Sequence, residues 1–153
     1  QLLAFSTSSS AATLPVTMEC VTEKVGVDEE VSSFVLPLGA TVNMDGTSLY
    51  QAVAAIFIAQ AMLPVPLDLQ TQLMIVVTAT LASIGSAAVP SAGMVMLVIV
   101  LGQAGIPEAG LALIFAIDRP LDMSRTFVNV TSDCTIATSV SKAVGKLKTP
   151  ENF

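Results

Sequence analysis

The sequence predicts an all-α membrane protein, with two re-entrant helical hairpins and two interrupted transmembrane helices arranged as an inverted repeat. Three observations carry that expectation. Charge is scarce: of 153 residues, 53% are hydrophobic and 12% are charged, about half the usual quarter, and the mean hydropathy is +0.78. The charges are also unevenly placed. Fourteen uncharged residues separate Glu30 from Asp45, 22 separate Asp45 from Asp68, and 39 separate Asp68 from Glu108, where about 20 apolar residues suffice to cross a bilayer. Finally, each long apolar run is interrupted by polar or helix-breaking residues, and the pattern occurs twice. A soluble domain with an unusually apolar core is the competing reading.

Taken in order, residues 1–17 are apolar around Ser8-Ser9-Ser10, and a charged patch from Glu19 to Glu30 reads as a water-exposed loop. Residues 31–62 are apolar again but broken by Asn43-Met44-Asp45-Gly46-Thr47. Pro64, Pro66 and Asp68 make a second loop. Residues 71–104 are interrupted at Ser83-Ile84-Gly85-Ser86 and at Val89-Pro90-Ser91. As one helix this stretch would be about 50 Å long, beyond a hydrocarbon core of about 30 Å. A hairpin whose tip stops at mid-depth fits better, since irregular backbone is tolerated there only under protein or beside water. Gly105, Pro107 and Glu108 form a turn, residues 109–143 a last span, and Lys142, Lys146 and Lys148 lie at its end. Basic residues at that place predict a cytoplasmic C-terminus. Ser10-Ala11-Ala12-Thr13-Leu14-Pro15 resembles Ser86-Ala87-Ala88-Val89-Pro90 with one deletion, and each is followed by a span with a polar interruption, Asn43 to Thr47 and Asn129 to Asp133. Tip plus broken span, twice, is the pattern of inverted-repeat carriers.

Several functions are excluded at this level. The formal charge of −6 gives nucleic acid no electrostatic footing, so no nucleic-acid partner is expected. With no histidine and no activated nucleophile, no enzyme is expected either. Cys20 and Cys134 have no metal or redox spacing and read as small buried hydrophobes. Gln1 opens inside an apolar, Ser-rich run without a basic flank, so the chain is expected to continue upstream.

The chemistry concentrates in the last span. Asp118, Asp122, Arg125, Asn129 and Asp133 recur at helical spacing and fall on an arc of roughly 80°, with Thr126 at its border. Such a stripe cannot face lipid, where each centrally buried charge costs at least about 2.5–3.5 kcal/mol. It suits either ion pairs that tie helices together or a site for a polar solute. Were Asp45, Asp122, Asp133 and Arg125 to share one cavity, its balance of −2 would call for cations, more so with an anionic solute. Carbonyls at the breaks near Asn43, Ser83 and Asn129, with carboxylate oxygens, are ligands that hard cations take. Helix N-termini at the Ser10 and Gly93 tips would face an anion, and Arg125 can grip a carboxylate with two parallel hydrogen bonds.

These motifs resemble those of the dicarboxylate/amino acid:cation symporters. The match rests on Ser8 to Pro15, Asn43 to Thr47, Ala82 to Ser86, Val89 to Gly93 and the Asp118–Asp133 stripe, in order and almost end to end. The resemblance implies that residues 1–25 are most of a first re-entrant hairpin, 31–62 a seventh transmembrane segment unwound at Asn43 to Asp45, 71–104 a second hairpin acting as gate, 109–143 an eighth segment and 144–153 a cytoplasmic tail. The first six segments, the trimerising scaffold among them, would lie upstream. It further implies sodium-coupled symport of L-aspartate or L-glutamate across the cell membrane by alternating access. In that reading Arg125 holds the substrate side-chain carboxylate and Asp122 its amino group, while Ser10, Thr47, Val89, Gly93, Thr126 and Asn129 complete the pocket. One sodium takes Asp133 with carbonyls of Gly39, Asn43 and Asn129. A second takes carbonyls of Thr41, Ser83, Ile84 and Ser86 with the Met44 sulfur close by, and a third involves Asp45 and the Asn43 side chain. Gln51 stands where animal glutamate transporters of the family carry Glu, and Asp133 is retained where some proton-coupled bacterial members have Asn, which favours sodium. Pro120 is unusual within the stripe and is expected to kink the last span. A C4-dicarboxylate symporter, proton- or sodium-coupled, and a non-transporting membrane fragment are the alternatives.

Overall fold

The structure, a computed structural model, describes residues 1–148; residues 149–153 of the expected tail lie outside them. The described residues are helical, with no strand among them. α1 (Leu2–Thr7) ends at Ser8, whose φ of 53° is left-handed. Ser9 is extended, and its hydroxyl accepts from the Ala12 N–H at 3.1 Å, capping α2 (Ser10–Cys20). A π-helical turn, Val21–Val25, then stops at Gly26. Glycine is required there on two counts. Its φ is 84°, and a Cβ would lie 2.2 Å from the Lys148 carbonyl oxygen.

The Asp28 carboxylate accepts from the Glu30 N–H at 3.1 Å and caps α3 (Glu29–Val42), whose first turn carries Glu29 and Glu30 on the favourable side of the helix dipole. Asn43 and Met44 leave the helix, and α4 (Asp45–Met62) resumes it. Asp68 caps α5 (Leu69–Ile84) through the Thr71 N–H. An irregular tip follows, with Ser91 left-handed at φ 63°, and α6 (Ala92–Gln103) packs back along α5. After a 3₁₀ turn at Glu108–Gly110 come the short α7 (Leu111–Phe115) and the long α8 (Asp118–Ala143).

Two expectations about the last span need correcting. The backbone does not break at Asn129–Asp133, because α8 runs unbroken through them; the interruption falls earlier, at Ala116 and Ile117. Nor does Pro120 kink a helix. It is the third residue of α8, where its missing N–H is one of the four that no helix can satisfy internally. Pro120 with Asp118 marks a helix start.

An apolar core of Ala54, Ala55 and Ile58 on α4, Ile75 and Ala79 on α5, and Leu97, Val100 and Leu101 on α6 holds one end of the molecule together. A smaller cluster joins Val21, Val27, Val31 and Leu36 to Ala137 of α8. Between them the interior is polar, while many large apolar side chains lie outside, among them Phe34, Leu81, Val95 and Phe115. None of the helices in the described residues is long and apolar enough by itself to cross a membrane, the break at Asn43 having divided residues 29–62 into helices of 14 and 18 residues.

Candidate functional site

The polar interior is built on α8. Asp118, Asp122, Arg125, Thr126, Asn129 and Asp133 are all buried, with 3–7% exposure, as one continuous helix requires of residues on a single face. At the N-terminal end Arg125 Nε and Nη2 donate to Asp122 Oδ1 at 3.0 and 2.5 Å, and Asp118 lies 3.8 Å from Nη2. The Tyr50 ring of α4 covers the guanidinium, 4.3 Å from Cζ to centroid, and the Tyr50 hydroxyl donates to Asp118 Oδ1 at 3.2 Å. A charge held this way is stabilised on one side by carboxylates and on the other by the negative face of an aromatic ring. Arg125 Nη1 is buried without a hydrogen-bond partner among the described residues. It lies so near Gly93 that a Cβ there would approach to 2.2 Å.

The tip between α5 and α6 closes over this group. The Ser91 N–H donates to Asp122 Oδ2 at 2.8 Å and its hydroxyl to Asp118 Oδ2 at 3.4 Å. The first tip reaches the second, where Ser9 Oγ donates to the Ala88 carbonyl at 2.7 Å. Beneath the two tips lies a narrow polar pocket. Ser10, Thr47, Val89, Gly93, Asp122, Arg125, Thr126 and Asn129, the eight residues that the sequence nominates for substrate, all line it, beside Ser8, Met44 and Ser86. The room left in it, about 20 Å³ for water centres, is about that of one water.

Asn129 has a second task. Its Oδ1 accepts from the Gly46 N–H at 2.8 Å and the Thr47 N–H at 3.3 Å, and its Nδ2 donates to Thr47 Oγ1 at 3.1 Å. The break at Asn43–Met44 exposes the first N–H groups of α4, and a side chain of α8 caps them. The approach depends on Gly46, where a Cβ would stand 2.3 Å from the Arg125 carbonyl oxygen.

Of the nominated cation ligands, Asn43, Asp45, Asp133 and Gly39 lie together farther along α8. Asn43 Nδ2 donates to Asp133 Oδ1 at 2.9 Å and to Ser132 Oγ at 3.0 Å, and Ser132 Oγ donates to Asp45 Oδ2 at 2.5 Å. Asp133 lies against Gly39, with Oδ1 2.6 Å from where a Cβ would be. Asp45 and Met44 line a cleft with Ser83 and Ile84. Ser86 is buried, and its N–H donates to the Ser83 carbonyl at 3.0 Å. Thr41, nominated for its carbonyl, is exposed and does not line that cleft. Among the described residues no three His, Cys, Asp or Glu side chains cluster as a metal site. The donors here are single carboxylates among amide, hydroxyl and carbonyl oxygens, a set that suits hard cations.

The expectation that Asp45, Asp122, Asp133 and Arg125 share one cavity is corrected. Asp122 and Arg125 line the pocket, Asp45 the cleft, and Asp133 neither. Asp133 follows Asp122 by eleven positions of α8, about 16 Å along one helix face. Three residues escaped sequence reasoning: Tyr50, Ser132 and Ser91. Tyr50 and Ser132 carry no motif signal; Ser91 could have been found as the residue just before the α6 N-terminus, two places before Gly93.

A model of the sodium:dicarboxylate symporter family matches residues 1–143. Over 132 residues the chain is 52% identical to human excitatory amino acid transporter 2, covering 86% of this chain and 23% of the relative. It is 53% identical to an excitatory amino acid transporter of Caenorhabditis elegans, again over 86% of the chain and over 26% of that relative. It is 54% identical to excitatory amino acid transporter 3 of Oryctolagus cuniculus, over 86% and 25%. The chain therefore spans about a quarter of the length of the curated relatives it matches, and it belongs to the sodium:dicarboxylate symporter family.

Proposed function

We propose that this member of the family forms the C-terminal part of the moving core of a sodium-coupled symporter for L-aspartate or L-glutamate. The observation that carries the reading is the buried Arg125 guanidinium. One of its nitrogens has no partner, and it lines a pocket with the seven other residues nominated for substrate. The substrate's side-chain carboxylate would take Arg125, and its ammonium would take Asp122, so that one internal ion pair is exchanged for two to the ligand. Asn129 and Thr47 would hold the rest, with the Ser10 and Gly93 tips, Val89 and Thr126 around it.

Sodium ions are the co-transported cargo in this reading. Asp133, Gly39, Asn43 and Asn129 would take one, Ser83, Ile84, Ser86, Thr41 and Met44 a second, and Asp45 with Asn43 a third. Filling these positions would balance Asp45 and Asp133, so that substrate and cation bind together. The tip at Ser91 would act as the gate, residues 1–25 and 71–104 as re-entrant hairpins, and residues 31–62 and 109–143 as the seventh and eighth membrane segments. A lipid bilayer is supported by the inverted polarity of the molecule: Arg125 is 5% exposed while Phe34 is 72% and Val95 69%. Lys142, Lys146 and Lys148 support a cytoplasmic C-terminus. Upstream scaffold segments and a homotrimer would complete the carrier, with no enzymatic activity.

The test is uptake by the full-length protein. Arg125→Cys is expected to abolish acidic amino acid uptake and to admit neutral amino acids, because the remaining pocket keeps Asp122 for the ammonium. Undiminished aspartate and glutamate uptake would remove the carboxylate role. A C4-dicarboxylate would satisfy Arg125 equally, but Asp122 favours a substrate with an ammonium; competition of succinate against aspartate separates the two.

A further inference from the structure

The two carboxylates assigned above to different cations are joined by one hydroxyl that no motif announces. Ser132 Oγ donates its proton to Asp45 Oδ2 at 2.5 Å and accepts from Asn43 Nδ2 at 3.0 Å. The same amide nitrogen gives its other hydrogen to Asp133 Oδ1 at 2.9 Å. The result is an unbroken chain, Asp45–Ser132–Asn43–Asp133, crossing from the helix break to α8 and back. Asp133 is buried at one end and Asp45 is exposed at the other.

We propose that Ser132 is a positioning residue that couples the two cation positions, so that occupation of one prepares the other. This inference rests on the reading of Asp45 and Asp133 as cation ligands. A cation arriving at Asp133 meets an N–H aimed at the oxygen it needs, and repels it. As the Asn43 amide turns, its bond to Ser132 is lost and a lone pair of the hydroxyl oxygen is freed. When the second cation takes Asp45 Oδ2, the hydroxyl swings its proton away and turns that lone pair toward the ion. Hydroxyl, amide and carboxylate oxygens are all hard donors, so each rearrangement exchanges a hydrogen bond for a cation contact. The Asp45 carboxylate is meanwhile held in one orientation, which lowers the ordering cost when the ion binds.

The experiment uses the full-length protein in detergent, without substrate, and follows its melting temperature as sodium replaces choline at constant ionic strength. Binding to the folded state alone raises that temperature. The parent protein is expected to give a sigmoidal sodium dependence. Ser132→Ala should make it shallower and move the midpoint upward on the order of tenfold, the scale of a lost hydrogen bond to a charged group. Ser132→Thr, which keeps the hydroxyl, should restore both. Ser132→Gly should match Ser132→Ala, since only the hydroxyl is at issue. An unchanged curve for Ser132→Ala overturns the coupling. So does an equal shift for Ser132→Thr, or a loss confined to the sodium-free melting temperature, either of which means packing alone. A parent protein indifferent to sodium would instead overturn the function proposed above, leaving a distinct signature.

Discussion

Two polar interruptions look alike in the sequence, Asn43 to Thr47 and Asn129 to Asp133, and the chain treats them in opposite ways. At the first the helix opens: Asn43 and Met44 leave it, and the N–H groups of Gly46 and Thr47 come free. At the second nothing opens, and α8 presents Asp122, Arg125, Asn129 and Asp133 along one face. The broken element supplies backbone groups and the unbroken one supplies side chains. The difference lies in residue type. Asn43 and Asp45 can bond the backbone in place of a helical turn and Gly46 weakens the helix, whereas Asn129 to Asp133 holds no glycine and continues the face set by Asp122 and Arg125. Each element then repairs the other, because Asn129 caps the end that the break leaves open.

The comparison breaks most severely at its closest approach. Gly46→Ala pushes a Cβ toward the Arg125 carbonyl, backbone against backbone, and should destabilise the full-length protein by about 3 kcal/mol. Thermal unfolding in detergent reads this directly, and a parent-like melting temperature would mean that α4 and α8 are not so tightly apposed. Asn129→Ala ranks next, at about 2 kcal/mol, because it leaves buried N–H groups of α4 without an acceptor. Asn129→Asp keeps the acceptor and should recover part of that loss; if both variants fall equally, capping is not what Asn129 contributes. Tyr50→Phe is milder. It keeps the ring over Arg125 and removes only the hydroxyl that reaches Asp118, for about 1 kcal/mol, and substrate affinity should change less than with Arg125→Cys.

The smallest effect is expected far from both interruptions, where the tail meets the loop before α3. Lys148, exposed, pairs with the partly buried Asp28 at 3.3 Å, and Lys146 with Glu30 at the surface. The Glu30 N–H first, and Lys148 second, hold the Asp28 carboxyl below the usual carboxylate range. A lowered folded-state value means that the contribution is present at neutral pH and fades only as pH falls through that lowered range. Asp28→Asn should therefore melt slightly below the parent at neutral pH and with it in strong acid. A gap that widens on acidification would contradict the assignment. Lys146, raised by Glu30, contributes below the usual lysine range and is lost as pH climbs through its raised value.

The helical stripe was legible because charged and amide side chains at i, i+4, i+7, i+11 and i+15 in an apolar chain admit one geometry. The break at Asn43 and the irregular tip after Ile84 were legible for a similar reason, since Asn-Met-Asp-Gly and Gly-Ser runs cannot continue an apolar helix. The break at Ala116 and Ile117 was not, because residues 111–117 are uniformly apolar and carry no breaker of their own. Its one signal, Asp118 with Pro120, lies downstream and has two meanings, kink or helix start, which only the register of α8 resolves. Tyr50 was hidden by its type. An aromatic residue on an apolar helix is ordinarily core, and its role depends on which cation the tertiary fold brings beneath it. Ser132 was hidden by its neighbours, since a hydroxyl between Thr131 and Asp133 on a half-buried turn of α8 has no periodicity to set it apart.

The cap that Asn129 places on α4 has a mechanical consequence. A helix end satisfied by its own residues can slide or twist freely against its neighbours. One satisfied by a side chain from another helix cannot shift by even half a turn without stranding its amides. The start of α4 is therefore geared to the middle of α8, like two shafts pinned through one hole, and displacement is expected in what lies outside that pin: the two serine-rich tips, each poised on a left-handed residue, and the exposed clasp of the tail.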